Sequence, residues 1–174
     1  KKAVMIYDFD DAIWLPNISE ANKKLAFLKY PEKVNESIAH AQKVIAGNDF
    51  LKNHALQFNR NVSVIPTVLD TSHYKRKLPY AEKQNKRVCI GWSGSHTTIE
   101  HFKIALPFLY KLKEKYGDKI YFKIVGDQNF EDKTLGIKGV KWTFDTEINE
   151  LEEIDIGIMP LPQDSWSEGK CGLK

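Results

Sequence analysis

Three stretches of this chain hold groups that could do chemistry. The first is Asp8-Phe9-Asp10-Asp11, at the end of the apolar run Ala3–Tyr7. Alternate carboxylates at a strand end can bind Mg²⁺ or act as nucleophiles, and they can equally cap a helix and face water. The second is Trp92-Ser93-Gly94-Ser95-His96-Thr97-Thr98. Its glycine lets the backbone approach a ligand closely, and its hydroxyls and N–H groups at a helix start suit a phosphate. The rival is a plain helix cap by Thr97 or Thr98, with Glu100 in the first turn. The third is Gly169-Lys170-Cys171-Gly172, which follows Ile156, Ile158, Met159 and the turn Pro160-Leu161-Pro162. A strand that leaves through such a loop announces a helix N-terminus, whose unpaired N–H groups bind anions. Lys170 would add a point charge for a phosphate, unless it is an ordinary solvated lysine.

Lesser signals surround these. Gly126-Asp127 ends an apolar strand and is either part of a ligand site or an Asx turn. Trp142 and Phe144 alternate and read as core rather than as base-stacking groups. The five histidines (40, 54, 73, 96, 101) show no metal-ligand spacing.

These stretches need elements to position them. Ala3–Tyr7 reads as a buried strand, Ser19–Tyr30 and Glu32–Ala41 as helices, and Lys43–Ala46 as a strand. Asn48 or Asp49 can cap a helix running to about Asn59, with Phe50, Leu51, His54, Ala55 and Phe58 on one face. Val62–Ile65 is a strand stopped by Pro66. From Asp70 to Lys86 the apolar period disappears, which marks a linker and divides the chain into 1–70, 71–86 and 87–174. Beyond it come a strand at Arg87–Trp92, a long helix at Thr97–Tyr116 and strands at Ile120–Val125 and Val140–Phe144. A helix at Ile148–Ile154 and a strand at Asp155–Met159 follow. Strand–helix alternation predicts an α/β fold with a parallel sheet, whose ligands lie beyond the carboxyl ends of the strands.

Composition sets outer bounds. The chain has 174 residues, is 42% hydrophobic and 28% charged, and carries a net charge of +3. That charge is too small to argue for nucleic acid, and the lysines are spread along linkers and helix faces. Cys89 in an expected strand and Cys171 in a loop read as reduced thiols, so a cytoplasmic setting is expected. No apolar run is long enough to span a bilayer, and contact with the inner face of a membrane stays compatible with that. The chain starts at Lys1 directly before a strand and stops where a helix should start, so it reads as a fragment.

AGNDFL with its following helix, VIPTVLDTSHY, IGWSGSHTTIEHF and DIGIMPLPQDSWSEGKCGLK, together with YDFDD, resemble a retaining glycosyltransferase of family 4 (glycosyl transferases group 1). The resemblance runs from about Lys43 onward. It implies a GT-B-like fold of two Rossmann-like lobes with parallel sheets, the acceptor-side lobe partial at 1–70 and the nucleotide-sugar lobe at 87–174 truncated. It implies that a sugar moves from a nucleoside diphosphate sugar to an acceptor hydroxyl on a glycan, lipid or small molecule. It implies that no cofactor and no metal are required. Donor phosphates would lie at Ser93, Gly94, Ser95, His96, Thr97, Thr98, Gly169 and Gly172. The base and ribose would lie near Gly126, Asp127, Phe144, Pro160 and Leu161. Asp10 and Lys170 would take part in catalysis, Asp10-Asp11 standing where many members carry His-Asp. Two departures matter: the first donor loop lacks the usual basic residue, and Gly169 replaces the first Glu of the late motif.

MIYDFDDA also resembles the first motif of haloacid-dehalogenase-like phosphatases, with Asp8 as nucleophile and Asp10 as acid–base group. Ser93 and Gly126-Asp127 with Asp132 would then imitate later motifs around Mg²⁺. That alternative leaves Asp155–Lys174 without a role. A non-catalytic nucleotide-binding α/β module is the third reading.

Overall fold

The computed structural model describes residues 3–15, 30, 32–74 and 87–173. These form two compact units, one from residues up to Val68 together with Gln163–Leu173, the other from Leu69 to Pro162. Each is a mixed α/β body built on an open sheet of parallel strands. The first boundary falls close to the expected end of the first lobe. The segment 163–173 belongs with the first unit, whereas the sequence placed it in the second.

The first unit has strands β1 (Ile6–Phe9), β2 (Lys43–Ala46) and β3 (Val62–Val64), in the order β1-β2-β3. Helices α1 (Glu32–His40) and α2 (Asp49–Ala55) follow β1 and β2 in sequence. Central β2 buries Val44 and Ala46 completely, against Ile38 of α1 and Leu51 and Ala55 of α2. Asn48 caps α2, its Oδ1 accepting from Leu51 N at 2.9 Å. The helix stops short of Asn59 because that residue has another duty. Its side-chain amide donates to the carbonyls of Ile38 and Ala41 at the end of α1, where the Ile38 carbonyl also accepts from Ala41 N at 3.3 Å. β1 starts later than expected and is not buried: Ala3–Asp8 lie exposed or half-buried, and only Phe9 reaches the core. Among the described residues β1 pairs with β2 alone, and an edge strand has less to cover it. The helix expected at Ser19–Tyr30 lies outside the described residues, apart from Tyr30.

The second unit contains β4 (Val88–Ser93), α3 (Ile99–Lys103), α4 (Leu106–Tyr116), β5 (Ile120–Val125), the hairpin β6 (Glu131–Asp132) and β7 (Ile137–Lys138), α5 (Glu147–Glu152) and β8 (Ile156–Gly157). Its sheet order is β5-β4-β8. β4 is central, and such strands read as continuous apolar runs because both faces are covered. Ile90 and Trp92 pack with Phe102, Leu109, Ile120, Phe122 and Ile124. On the opposite face the absent Cβ of Gly91 leaves room for the Ile154 side chain. Lys123 lies on the neighbouring strand in register with Gly91. Its ammonium meets Glu150 at 2.6 Å and Glu153 at 2.7 Å.

Three expectations are corrected here. The long helix at Thr97–Tyr116 is broken at Ile104–Ala105, because Pro107 has no N–H and opens a new helix in its first turn. Val140–Phe144 is not a strand. Val140 alone bridges to Val125, and Trp142 and Phe144 lie exposed, with no core over them. Asp155–Met159 is an edge strand reduced to Ile156–Gly157, so Ile156 is half exposed. Of the expected linker, residues 75–86 lie outside the described residues. Asp70–Tyr74 form a turn in which the Asp70 carboxylate accepts from the N–H and hydroxyl of Ser72.

Candidate functional site

In the first unit the carboxyl ends of β1 and β2 meet a segment from the far end of the chain. α6 (Ser165–Glu168) is capped by Asp164, which accepts from Ser167 N at 2.7 Å. Trp166 and Cys171 then pack on the cluster around Phe9, Ala12 and Leu51. The Lys170 ammonium donates to Asp11 Oδ1 at 2.8 Å and lies 5.1 Å from the Trp166 ring centre, a cation–π distance. The Cys171 thiol donates to the Asp10 carbonyl at 3.1 Å. Burial and the Asp10 carboxylate push that thiol up, outweighing a Thr67 hydrogen bond and the Lys170 charge that pull it down. Asn48 Nδ2 donates to the carbonyls of Gly169 and Lys170 at 3.2 and 3.3 Å. Two residues proposed for catalysis, Asp10 and Lys170, are thus brought into one neighbourhood from opposite ends of the sequence. Asp10 and Asp8 are exposed.

Gly169 does not open a helix. It ends α6 with φ −74°, and it is buried so closely on Ala12 that a Cβ there would lie 2.6 Å from the Ala12 Cβ. Gly169 is thus a packed helix end. Gly172 is exposed, with φ +62°.

In the second unit the strand ends are joined by backbone. Gly94 N donates to Val125 O at 2.9 Å, and Gly126 N to Val140 O at 2.7 Å. Gly126 has φ +117°, and a Cβ at that position would run into the Gly94 carbonyl oxygen. The hydroxyls after Gly94 form a local cap. Ser95 N donates to Thr98 Oγ1 at 3.1 Å, and the Ser95 and Thr97 hydroxyls are 2.7 Å apart. The cap geometry weighed against a phosphate cradle is thus present, but Ser95, His96 and Thr97 remain exposed at the edge of the sheet. Asp127 is buried and its carboxylate accepts from Asn129 N at 3.0 Å, the Asx turn that was the plainer alternative. Phe144 stacks on His73 with ring centres 5.0 Å apart and planes 8° from parallel. Tyr74 donates to Glu147 at 3.0 Å. Pro160 and Leu161 are half-buried in the chain after β8.

Sequence reasoning missed the Asp11–Lys170 pair, the double role of Asn48 and the His73–Phe144 stack. Asn48 was visible only as a cap. Nothing local in the sequence marks the other two, because their partners lie far apart in the chain. Among the described residues no group of three or more His, Cys, Asp or Glu side chains could hold a metal ion, and no helix is long and apolar enough to cross a membrane.

The fold and its strand ends define a mixed α/β protein with parallel sheets. No protein-family model matches the chain, and no curated protein matches it either.

Proposed function

We propose that the protein is a glycosyltransferase of GT-B type that moves a sugar from a nucleoside diphosphate sugar to an acceptor hydroxyl. The carrying observation is the strand end of the second unit. Gly94 and Gly126 meet backbone to backbone, which leaves the exposed Ser95, His96 and Thr97 at the carboxyl edge of a parallel sheet. Ligands of open α/β sheets bind at such edges. Ser93–Thr98 would hold the donor phosphates through hydroxyls and N–H groups. Gly126, Asp127, Phe144, Pro160 and Leu161 would surround the base and ribose. Gly169 and Gly172 serve the loop that carries Lys170.

Departure of the diphosphate builds negative charge that needs a cation; we assign that role to Lys170 and the acceptor side to Asp10. Lys170 is held by Asp11, but both partners are partly exposed. Such pairs contribute about 0–1 kcal/mol, so Asp11 holds the ammonium only loosely. The Asp8/Asp10 phosphatase alternative also needs the Asp127 carboxylate, which is committed to its own turn.

The test is release of nucleoside diphosphate from a panel of UDP- and GDP-sugars by the intact protein with mixed acceptors. The proposal expects transfer with at least one donor, and expects Lys170→Ala to lower kcat roughly tenfold. No release from any donor would sink it. Phosphatase turnover abolished by Asp8→Asn would replace it with the alternative.

A further inference from the structure

Asn48 bonds two parts of the first unit that are more than a hundred residues apart in sequence. Its carbonyl oxygen is committed to Leu51 N at the start of α2, and this fixes which way the carboxamide points. The NH₂ group therefore faces the Gly169 and Lys170 carbonyls. Cys171 Sγ lies 3.7 Å from the same nitrogen. The missing Cβ of Gly47 is what admits that sulfur, and the buried Gly169 leaves the loop no slack on its other side. The Lys170 side chain then extends between the Asp11 carboxylate and the Trp166 ring.

We infer that Asn48 is a positioning residue: its carboxamide fixes the backbone of the Gly169–Cys171 loop at the strand ends of the first unit and so sets where the Lys170 ammonium points. The inference rests on the proposed function only where its effect on catalysis is concerned. The competing role is a helix cap and nothing more. The two separate cleanly, because Asp and Ser cap helices about as well as Asn while neither carries the NH₂ group.

The experiment uses Asn48→Ser and Asn48→Asp in the intact protein, with the reaction of Cys171 with Ellman's reagent as the local probe. Cys89 is fully buried and stays silent, which a Cys171→Ser control verifies. Both variants should stay folded with α2 intact, since Ser and Asp keep the cap. Asn48→Ser should speed Cys171 labelling about three- to tenfold, the loop opening expected from losing one or two net hydrogen bonds. Asn48→Asp adds a negative charge that lowers the thiolate fraction, so its gain should be smaller. In transfer assays Asn48→Ser should lower kcat about fivefold with the donor KM nearly unchanged. Wild-type labelling in Asn48→Ser would overturn the inference and leave Asn48 a cap. Faster labelling with unchanged kcat, in a protein whose Lys170→Ala variant is impaired, would overturn the claim that Asn48 aims Lys170. If Lys170→Ala itself has full activity, the assigned role of Lys170 fails, while the labelling result still decides whether Asn48 holds the loop.

Discussion

The two units finish the carboxyl ends of their sheets with different materials. In the first, side chains from distant parts of the chain close the edge: Asn48, Lys170 and Cys171 reach Gly169, Asp11 and Asp10. In the second, backbone meets backbone, with Gly94 against Gly126 and the Asp127 turn next to them. Side-chain closure can open and exchange partners, since its ties are side-chain hydrogen bonds and a partly exposed ion pair. Backbone closure cannot yield without bending the strands. The second edge is therefore the more rigid of the two.

This contrast can be broken most severely at its glycines. Gly126→Ala puts a side chain on a residue with φ +117° and drives it into the Gly94 carbonyl. Strain and overlap together should cost about 3 kcal/mol or more. Urea unfolding should show the loss, with amide exchange in β4 rising while β2 stays protected. Gly47→Ala is the matching change in the first unit. Its obstacle is the Cys171 sulfur, which can move, so about 1–3 kcal/mol should suffice, with exchange rising in β2 instead. Equal costs at the two positions would erase the distinction between rigid and yielding edges.

Charge sharpens the comparison at opposite ends of the pH scale. In the second unit, Lys123 is only 10% exposed and its pKa is raised. Burial pulls it down, but the hydrogen bonds and charges of Glu150 and Glu153 outweigh that. A raised folded value means that its contribution is complete below the ordinary value of 10.5 and fades as pH rises through the folded value. Lys123→Met should cost about 1.5 kcal/mol at pH 7 and flatten the alkaline loss of stability, read as the urea midpoint against pH. In the first unit, His54 stacks on Trp14 with ring centres 3.7 Å apart, and burial lowers its pKa. The neutral ring is the folded form. Its contribution is therefore present above the ordinary value of 6.5 and is lost as pH falls through the lowered value. His54→Phe should flatten the acid limb of the same profile.

The smallest effect concerns Lys170. Removing its partly exposed pair with Asp11 should change stability by less than about 1 kcal/mol, even though kcat is expected to fall about tenfold. A large loss of stability in Lys170→Ala would make the residue a structural tie and weaken its assignment to catalysis.

Much of the scaffold could be read from the sequence, because β2 and β5 are compact apolar runs and α2 has a capping Asn48. Misreadings fell where tertiary cover decides the outcome. Ile156 and Phe144 belong to apolar alternations, yet Ile156 stays half exposed at its sheet edge and Phe144, stacked on His73, stays mostly exposed in its turn. Pro107 is a local signal for the break between α3 and α4, but the amphipathic period runs across it. The candidate residues Ser93–Thr98 and Gly126-Asp127 were legible as a strand-end pair. Their backbone contact was not, because it depends on the register of β4 against β5. The path of 163–173 into the first unit has no local signature, since glycine fits a tight packing contact as readily as a phosphate loop.

Amide chemical-shift mapping with UDP and GDP tests the central claim most directly, because it reports both edges in one spectrum. Donor binding at the second unit predicts saturable shifts at Gly94, Ser95, His96, Thr97, Gly126 and Asp127 with at least one of the two nucleotides. Strand β2 of the first unit should stay unmoved. The absence of shifts with either nucleotide at millimolar concentration, or shifts confined to Asp8–Asp11 and Asn48, would contradict the account.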